Sequence, residues 1–243
     1  VAGTFITFEG IDGSGKSTQL RLLANFLRSE GGEVLVTREP GGTSVGLRLR
    51  AALLDALEQV DPLTELLVFA ADRAQHVRRV LRPALEAGQT VLSDRYADAT
   101  KAYQGAGRGF SAELVSEIVQ LATEGLTPDL TLLFDLSVTE SSARTRHRSE
   151  GKQTGDRLDS EDAGFHTRVR EAYLSLAARE PERFRVVTTN GSVDETHERV
   201  KKIVVPFLEA RGQIVSREPA TAGSRDTHRV PQRESPAGLE EPP

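Results

Sequence analysis

Apolar and β-branched residues gather in five short runs along the chain, separated by longer stretches of helical spacing. The first run, Thr4-Phe-Ile-Thr-Phe-Glu9, reads as a buried strand. A glycine-rich turn follows, then a helical pattern from Lys16 to about Glu30 that Gly31-Gly32 ends. Glu33–Thr37, Thr90–Ser93, Asp129–Asp135 and Phe184–Thr188 are the other strands. Arg38-Glu-Pro-Gly-Gly42 reads as a loop. Helical spacing covers roughly 44–57, 62–87, 97–104, 111–124, a stretch from about Val138, 163–180 and 193–210. In the second of these, Leu63, Leu67, Ala70, Ala74, Val77 and Leu81 form a stripe that predicts the core-facing side. Strands alternating with helices predict an α/β layered fold with a mostly parallel sheet.

The pattern lapses after Arg211. Residues 212–243 hold five of the eleven prolines and few large apolar side chains. Such a segment cannot offset its ordering entropy by burial, so 1–211 reads as one folded domain and 212–243 as a disordered tail. No internal repeat is visible. The 243 residues suffice for a core without staples. Cysteine is absent, which excludes a disulfide framework, a thiolate metal site and a cysteine nucleophile. The five histidines are scattered, with no pair at helical ligand spacing. No apolar run approaches a membrane span, and the N-terminus has no signal-peptide pattern. The expectation is a soluble cytoplasmic protein. A net charge of −5 argues against a nucleic-acid binder, though it excludes no local basic site.

Chemistry enters at Gly10-Ile-Asp-Gly-Ser-Gly-Lys-Ser17, which matches G-x-x-x-x-G-K-[ST] between a strand and a helix. Glycines let the backbone turn its N–H groups inward onto phosphate oxygens, and the following helix adds its positive end. The cradle is expected to span Gly10, Ile11, Asp12, Gly13, Ser14, Gly15, Lys16, Ser17 and Thr18. Lys16 can reach the β- and γ-phosphates of ATP, and the Ser17 hydroxyl can ligate Mg²⁺. The bland alternative is a glycine-rich turn with a chance Lys-Ser. A GTPase would carry a guanine-reading Asn-Lys-x-Asp, which is absent.

Four further segments stand in order along the chain: Thr37-Arg-Glu-Pro-Gly-Gly42, Leu67-Val-Phe-Ala-Ala-Asp-Arg-Ala-Gln75, Asp94-Arg-Tyr96 with Ala102-Tyr-Gln-Gly-x-Gly-Arg108, and Asp156-Arg-Leu-Asp159. With the phosphate loop they resemble thymidylate (dTMP) kinases over about 4–210. The resemblance implies a five-stranded parallel sheet in three layers, a mobile lid and a homodimer. It also implies the reaction: ATP and dTMP give ADP and dTDP, with Mg²⁺, on the way to dTTP for DNA synthesis. Phe69 and Arg73 share a helix stripe, so Phe69 can lie on a pyrimidine while Arg73 donates to its carbonyl; by resemblance these meet the face and O4 of thymine. The alternative is Phe69 in the core and Arg73 in a surface ion pair.

Asp94-Arg95 ends a strand at the carboxyl edge, where α/β sheets bind ligands. Asp94 is placed to hold Mg²⁺ through water. Arg95 can clamp the acceptor phosphate bidentately, with Arg38 joining it. Gln104 can donate and accept at once, which suits an imide N3–H and carbonyl. By resemblance Tyr103 faces the 2′ position of the sugar, with packing the plain alternative, and Asp12 lies near the acceptor sugar and the metal. Where the family often has Ser, this chain has Ala99, and Thr100 is expected to carry the hydroxyl contact.

Arg144, Arg146, His147, Arg148, Lys152 and Arg157 crowd one polar stretch. A solvated basic face is the bland reading. Members of the family whose phosphate loop lacks an arginine, as Gly13-Ser14 does here, use lid arginines instead. Arg146 or Arg148, with Arg157 near, is therefore expected to neutralise the transferring phosphoryl group. Another nucleoside monophosphate kinase and a non-catalytic phosphate-loop protein are the remaining readings.

Overall fold

The computed structural model describes residues 2–54, 59–149 and 157–214, except for the side chains of 147–149, 159 and 160. Five strands form one parallel sheet: β1 (Thr4–Glu9), β2 (Val34–Arg38), β3 (Thr90–Asp94), β4 (Leu130–Asp135) and β5 (Phe184–Thr188). Their order is β2-β3-β1-β4-β5, so the first strand of the chain is the central one. Phe8 is level with Asp94 and Leu132, and Arg38 is level with Asp94. The carboxyl ends of β1, β2 and β3 therefore lie side by side.

Successive side chains of a strand point to opposite faces, and here both faces are covered. Ile6 and Phe8 pack with Leu23 and Leu27 of α1 (Lys16–Ser29) and with Val200 and Val204 of α9 (Val193–Ala210). Phe5 packs on the other side with Val77, Leu81, Tyr96 and Val115. Leu133 and Phe184 meet Val169 and Tyr173 of α8 (Ala163–Arg179). Two-sided burial is why the inner strands β1, β3 and β4 read as near-continuous apolar runs, whereas the edge strands β2 and β5 keep exposed positions.

The remaining helices are α2 (Ser44–Leu54), α3 (Pro62–His76), α4 (Arg82–Glu86), α5 (Ala97–Thr100), α6 (Ala112–Thr123) and α7 (Val138–Ser149). A π-helical turn, Val77–Leu81, joins α3 to α4, so the stretch 62–87 is helical as expected. Its expected core stripe is corrected: Val77 and Leu81 are buried, but Leu63 and Leu67 are 47% and 50% exposed. The buried face of α3 instead carries Glu65, Leu66, Asp72, Arg73 and His76. A second π-helical segment, Lys101–Gly107, prolongs α5 beyond the expected end at 104. Gly107 does not break it: a Cβ there would sit 2.7 Å from the Phe165 ring, so glycine permits the close approach of α8. Residues just past the expected boundary at 211 also contact the fold. Ile214 is buried in the core beside α1 and α9, and Gln213 bonds Thr90 and Ala2. Residues 215–243, the rest of the expected tail, lie outside the described residues.

Candidate functional site

At the end of β1 the chain turns sharply, with positive φ at Gly10, Gly13 and Gly15. Gly10 passes so close to the Phe134 carbonyl that no Cβ fits. Gly15 is the N-cap of α1 and offers no side-chain acceptor, and the first turn of α1 holds no acid. The N–H groups of that turn are thus left for an anion. Lys16 is buried, and its Nζ donates to the Ile11 carbonyl (2.9 Å) and to Ser14 Oγ (3.4 Å). Burial, and then Arg95, lower its pKa against the pull of Asp12 and Asp94.

Ser17 Oγ donates to Asp94 Oδ2 at 2.6 Å, linking the loop to the end of β3. A hydroxyl beside one carboxylate is the sparse oxygen set that suits Mg²⁺, which keeps waters and phosphates as its other ligands. Among the described residues there is no cluster of three or more His, Cys, Asp or Glu that could form an all-protein metal cage.

Arg95 follows Asp94 with φ 68°, a left-handed conformation unusual for arginine. It folds back onto the phosphate loop. Its Nη2 donates to Asp12 Oδ1 and Oδ2 (2.8 and 2.9 Å) and to Tyr103 Oη (3.0 Å), and the guanidinium lies 4.7 Å from the Tyr103 ring centroid. Tyr103 Oη in turn donates to Asp12 (3.2 Å). Burial pushes the Asp12 carboxyl up, but Arg95 and Lys16 outweigh it and hold the pKa well below the usual range. The arginine expected to clamp a phosphate is therefore pre-oriented, charged and tethered beside the loop.

Opposite this group lies a cleft of about 370 Å³, within the size range of small-molecule sites. Its walls bring together Lys16, Ser17, Thr18, Arg38, Phe69, Arg73, Asp94, Arg95, Thr100, Tyr103 and Gln104, with Leu54 and Leu158 closing the apolar side. Asp12, Gly13 and Gly15 also line it, while Gly10, Ile11 and Ser14 shape the loop behind. Arg73 is not in a surface ion pair. It is buried, and its donors go to Glu39 Oε2 (2.8 Å), Thr100 Oγ1 (2.8 Å) and the Tyr96 carbonyl (3.0 Å). Thr100 thus holds Arg73 in place.

The lid arginines stand differently from the expectation. Arg146 is exposed, donates to the Ser142 carbonyl of its own helix and does not line the cleft. The side chain of Arg148, and Lys152, lie outside the described residues. Arg144 instead reaches the phosphate loop, donating to the Gly13 carbonyl (3.5 Å) and to that of Thr189 (2.9 Å). Arg157 docks on Glu65 and on the Leu53 carbonyl.

Three residues without an expected role support the wall: Glu39 lines the cleft, and Glu65 and His76 lie buried behind it. Glu39 holds both Arg73 and His76, and His76 Nε2 meets Thr37 Oγ1 at 2.7 Å. Glu65 collects Gln104, Arg108 and Arg157. The available signal was spacing: Glu65, Phe69, Arg73 and His76 fall on one face of α3.

A phosphate loop on the central strand, facing a second pocket across one cleft at the carboxyl edge of a parallel sheet, defines the class: a P-loop protein of the nucleotide-handling kind. A sequence model of the family described as thymidylate kinase matches residues 8–200. Thymidylate kinase of Exiguobacterium sibiricum is 46% identical over 215 residues, covering 88% of this chain and all of its own. That of Deinococcus radiodurans is 51% identical over 193 residues, covering 79% and 92%. The crystal structure of thymidylate kinase from Ehrlichia chaffeensis superposes with a TM-score of 0.69 at 34% identity, covering 84% of this chain and 100% of that one. The chain belongs to the thymidylate kinase family.

Proposed function

We propose that the chain transfers the γ-phosphoryl group of ATP to dTMP, giving ADP and dTDP and so feeding dTTP to DNA synthesis. The observation that carries this is one cleft lined both by a phosphate loop and by an aromatic ring, a buried arginine and an amide suited to a pyrimidine edge. An oxygen of the dTMP phosphate attacks the γ-phosphorus, the bond to the bridging β–γ oxygen breaks, and ADP leaves. The protein does little covalent work, so positioning and charge carry the catalysis. Lys16 and the N–H groups of the loop hold the ATP phosphates. Arg95, oriented by Asp12 and Tyr103, meets the acceptor phosphate, and Arg38 adds charge at its rim. Phe69, Arg73 and Gln104 hold the base. Ser17 and Asp94 would hold Mg²⁺, which when bound neutralises the β- and γ-oxygens.

The proposal includes a homodimer. Val45 and Leu47 on α2, Leu63 and Leu67 on α3, and Leu114 and Leu121 on α6 are exposed apolar side chains on helices that pack against one another. That face suits a second copy of the chain. It also includes the cytoplasm as location; no described helix is long and apolar enough to cross a membrane.

The test is ADP release with dTMP, dUMP, dGMP, dCMP and AMP as acceptors. A preference for dTMP is expected. Equal rates, or ATP binding without transfer, would point to the other readings.

A further inference from the structure

Glu65 is a carboxylate with no solvent exposure on the first turn of α3, and all its acceptor positions are taken. Oε1 accepts from Gln104 Nε2 (2.8 Å) and Arg108 Nε (3.1 Å); Oε2 accepts from Arg108 Nη2 (2.9 Å) and from Arg157 Nη2. Burial works against its ionised form, but the bonds from Arg108, Gln104 and Arg157 outweigh that and lower its pKa. An ionised carboxylate only accepts. The end of the Gln104 amide that faces it must therefore be the NH₂. The other branch of the amide is then the carbonyl oxygen. Gln104 is nearly fully buried yet lines the cleft, and its Oε1 accepts no hydrogen bond among the described residues.

We infer that Glu65 is a specificity-determining positioning residue: by fixing the amide of Gln104 it presents a carbonyl acceptor to the base, which selects a pyrimidine carrying an N3–H over one whose N3 is itself an acceptor. This rests on the reading of the cleft as a dTMP site. Thymine has the N3–H and cytosine does not. An amide free to turn would serve either base; an amide pinned by a carboxylate opposes two lone pairs when cytosine enters. Arg108 and Arg157 enforce the pin, because they keep the carboxylate ionised.

The test compares kcat and KM for dTMP and dCMP in the unaltered protein and in Glu65→Gln. The variant keeps the shape but lets Gln104 turn over. The ratio of kcat/KM for dTMP over dCMP is expected to fall by about tenfold or more, through KM rather than kcat, the worth of one hydrogen bond exchanged for a clash. General loosening of the fold would lower both acceptors alike and leave the ratio in place. In a Gln104→Ala background the same substitution is expected to move the ratio by less than about twofold, since Glu65 then has nothing to orient. A ratio that survives Glu65→Gln, or one that shifts equally without Gln104, overturns the role of Glu65 alone. An unaltered protein with no dTMP preference overturns the reading beneath it as well. Should Glu65→Gln not fold, the NH₂ resonances of Gln104 in the unaltered protein, assigned by their loss in Gln104→Met, decide. Protection from exchange that persists when dTMP is added supports the pin, and fast exchange in the free protein overturns it.

Discussion

At the scale of single residues, the site is surrounded by buried charge whose state depends on its partners. Glu9, the last residue of β1, accepts from the Tyr96 backbone N–H and from Tyr173 Oη, each at 2.7 Å. Burial, and then the charge of Asp98, push its pKa from 4.5 to about 8, although Arg95 pulls it down. Between those two values the folded chain keeps a proton that the unfolded chain releases. Stability contributed by the neutral group is therefore complete below about pH 4.5 and is lost as pH rises towards 8. Glu9→Gln keeps the shape without the titration. Thermal unfolding from pH 5 to 8 is expected to show the unaltered protein losing about 5 °C or more relative to the variant. Parallel curves would show that Glu9 is ionised throughout. Spacing groups Glu65 with Phe69 and Arg73, and an apolar run carries Glu9, but neither pattern says how deep the two acids lie. Their burial is decided by what packs over them, Tyr173 for one and Gln104 with two arginines for the other.

At the scale of elements, α7 carries the arginines proposed to act on the transferring phosphoryl group. Arg144 already touches the phosphate loop and Ser141 Oγ donates to the Asp12 carbonyl (2.6 Å), so the helix is seated against the loop at its start. Arg146 lies further along, exposed. Alanine substitution of Arg146 and of Arg148, taken separately, is expected to lower kcat by about 10³-fold for one of them, with KM for dTMP little changed. Turnover at the unaltered rate in both would remove the lid arginine from the mechanism. The three inner strands, β1, β3 and β4, were legible in the sequence because burial on both faces leaves apolar runs bounded by glycine and polar turns. The phosphate loop was legible because its glycines answer a steric demand, as Gly10 against Phe134 shows. The buried face of α3 was not. Its apolar stripe points outward at Leu63 and Leu67, while Arg73 and His76 are paired inward with Glu39, remote in sequence, and one oxygen of Asp72 accepts from the Gly41 N–H. The π-helical segment that carries Tyr103 and Gln104 was equally hidden. Its extra residue per turn is stabilised by packing against α8, which spacing alone does not reveal.

At the scale of the whole molecule, the outward leucines of α3 and α6 form part of the face proposed to meet a second copy. Leu67→Glu and Leu121→Glu, on side chains 50% and 79% exposed, are expected to leave the fold intact and halve the mass in sedimentation at micromolar concentration. An unaltered protein that already sediments as a single chain would overturn the dimer. The order β2-β3-β1-β4-β5 has a consequence of another kind. Thr7 meets Thr131 through a hydroxyl contact at 2.9 Å, 124 positions along the chain. During synthesis on the ribosome the central strand therefore emerges long before its neighbour on that side exists. Until then one edge of its backbone stays unpaired, and the nascent chain is at its most aggregation-prone while its phosphate loop has no finished sheet to stand on.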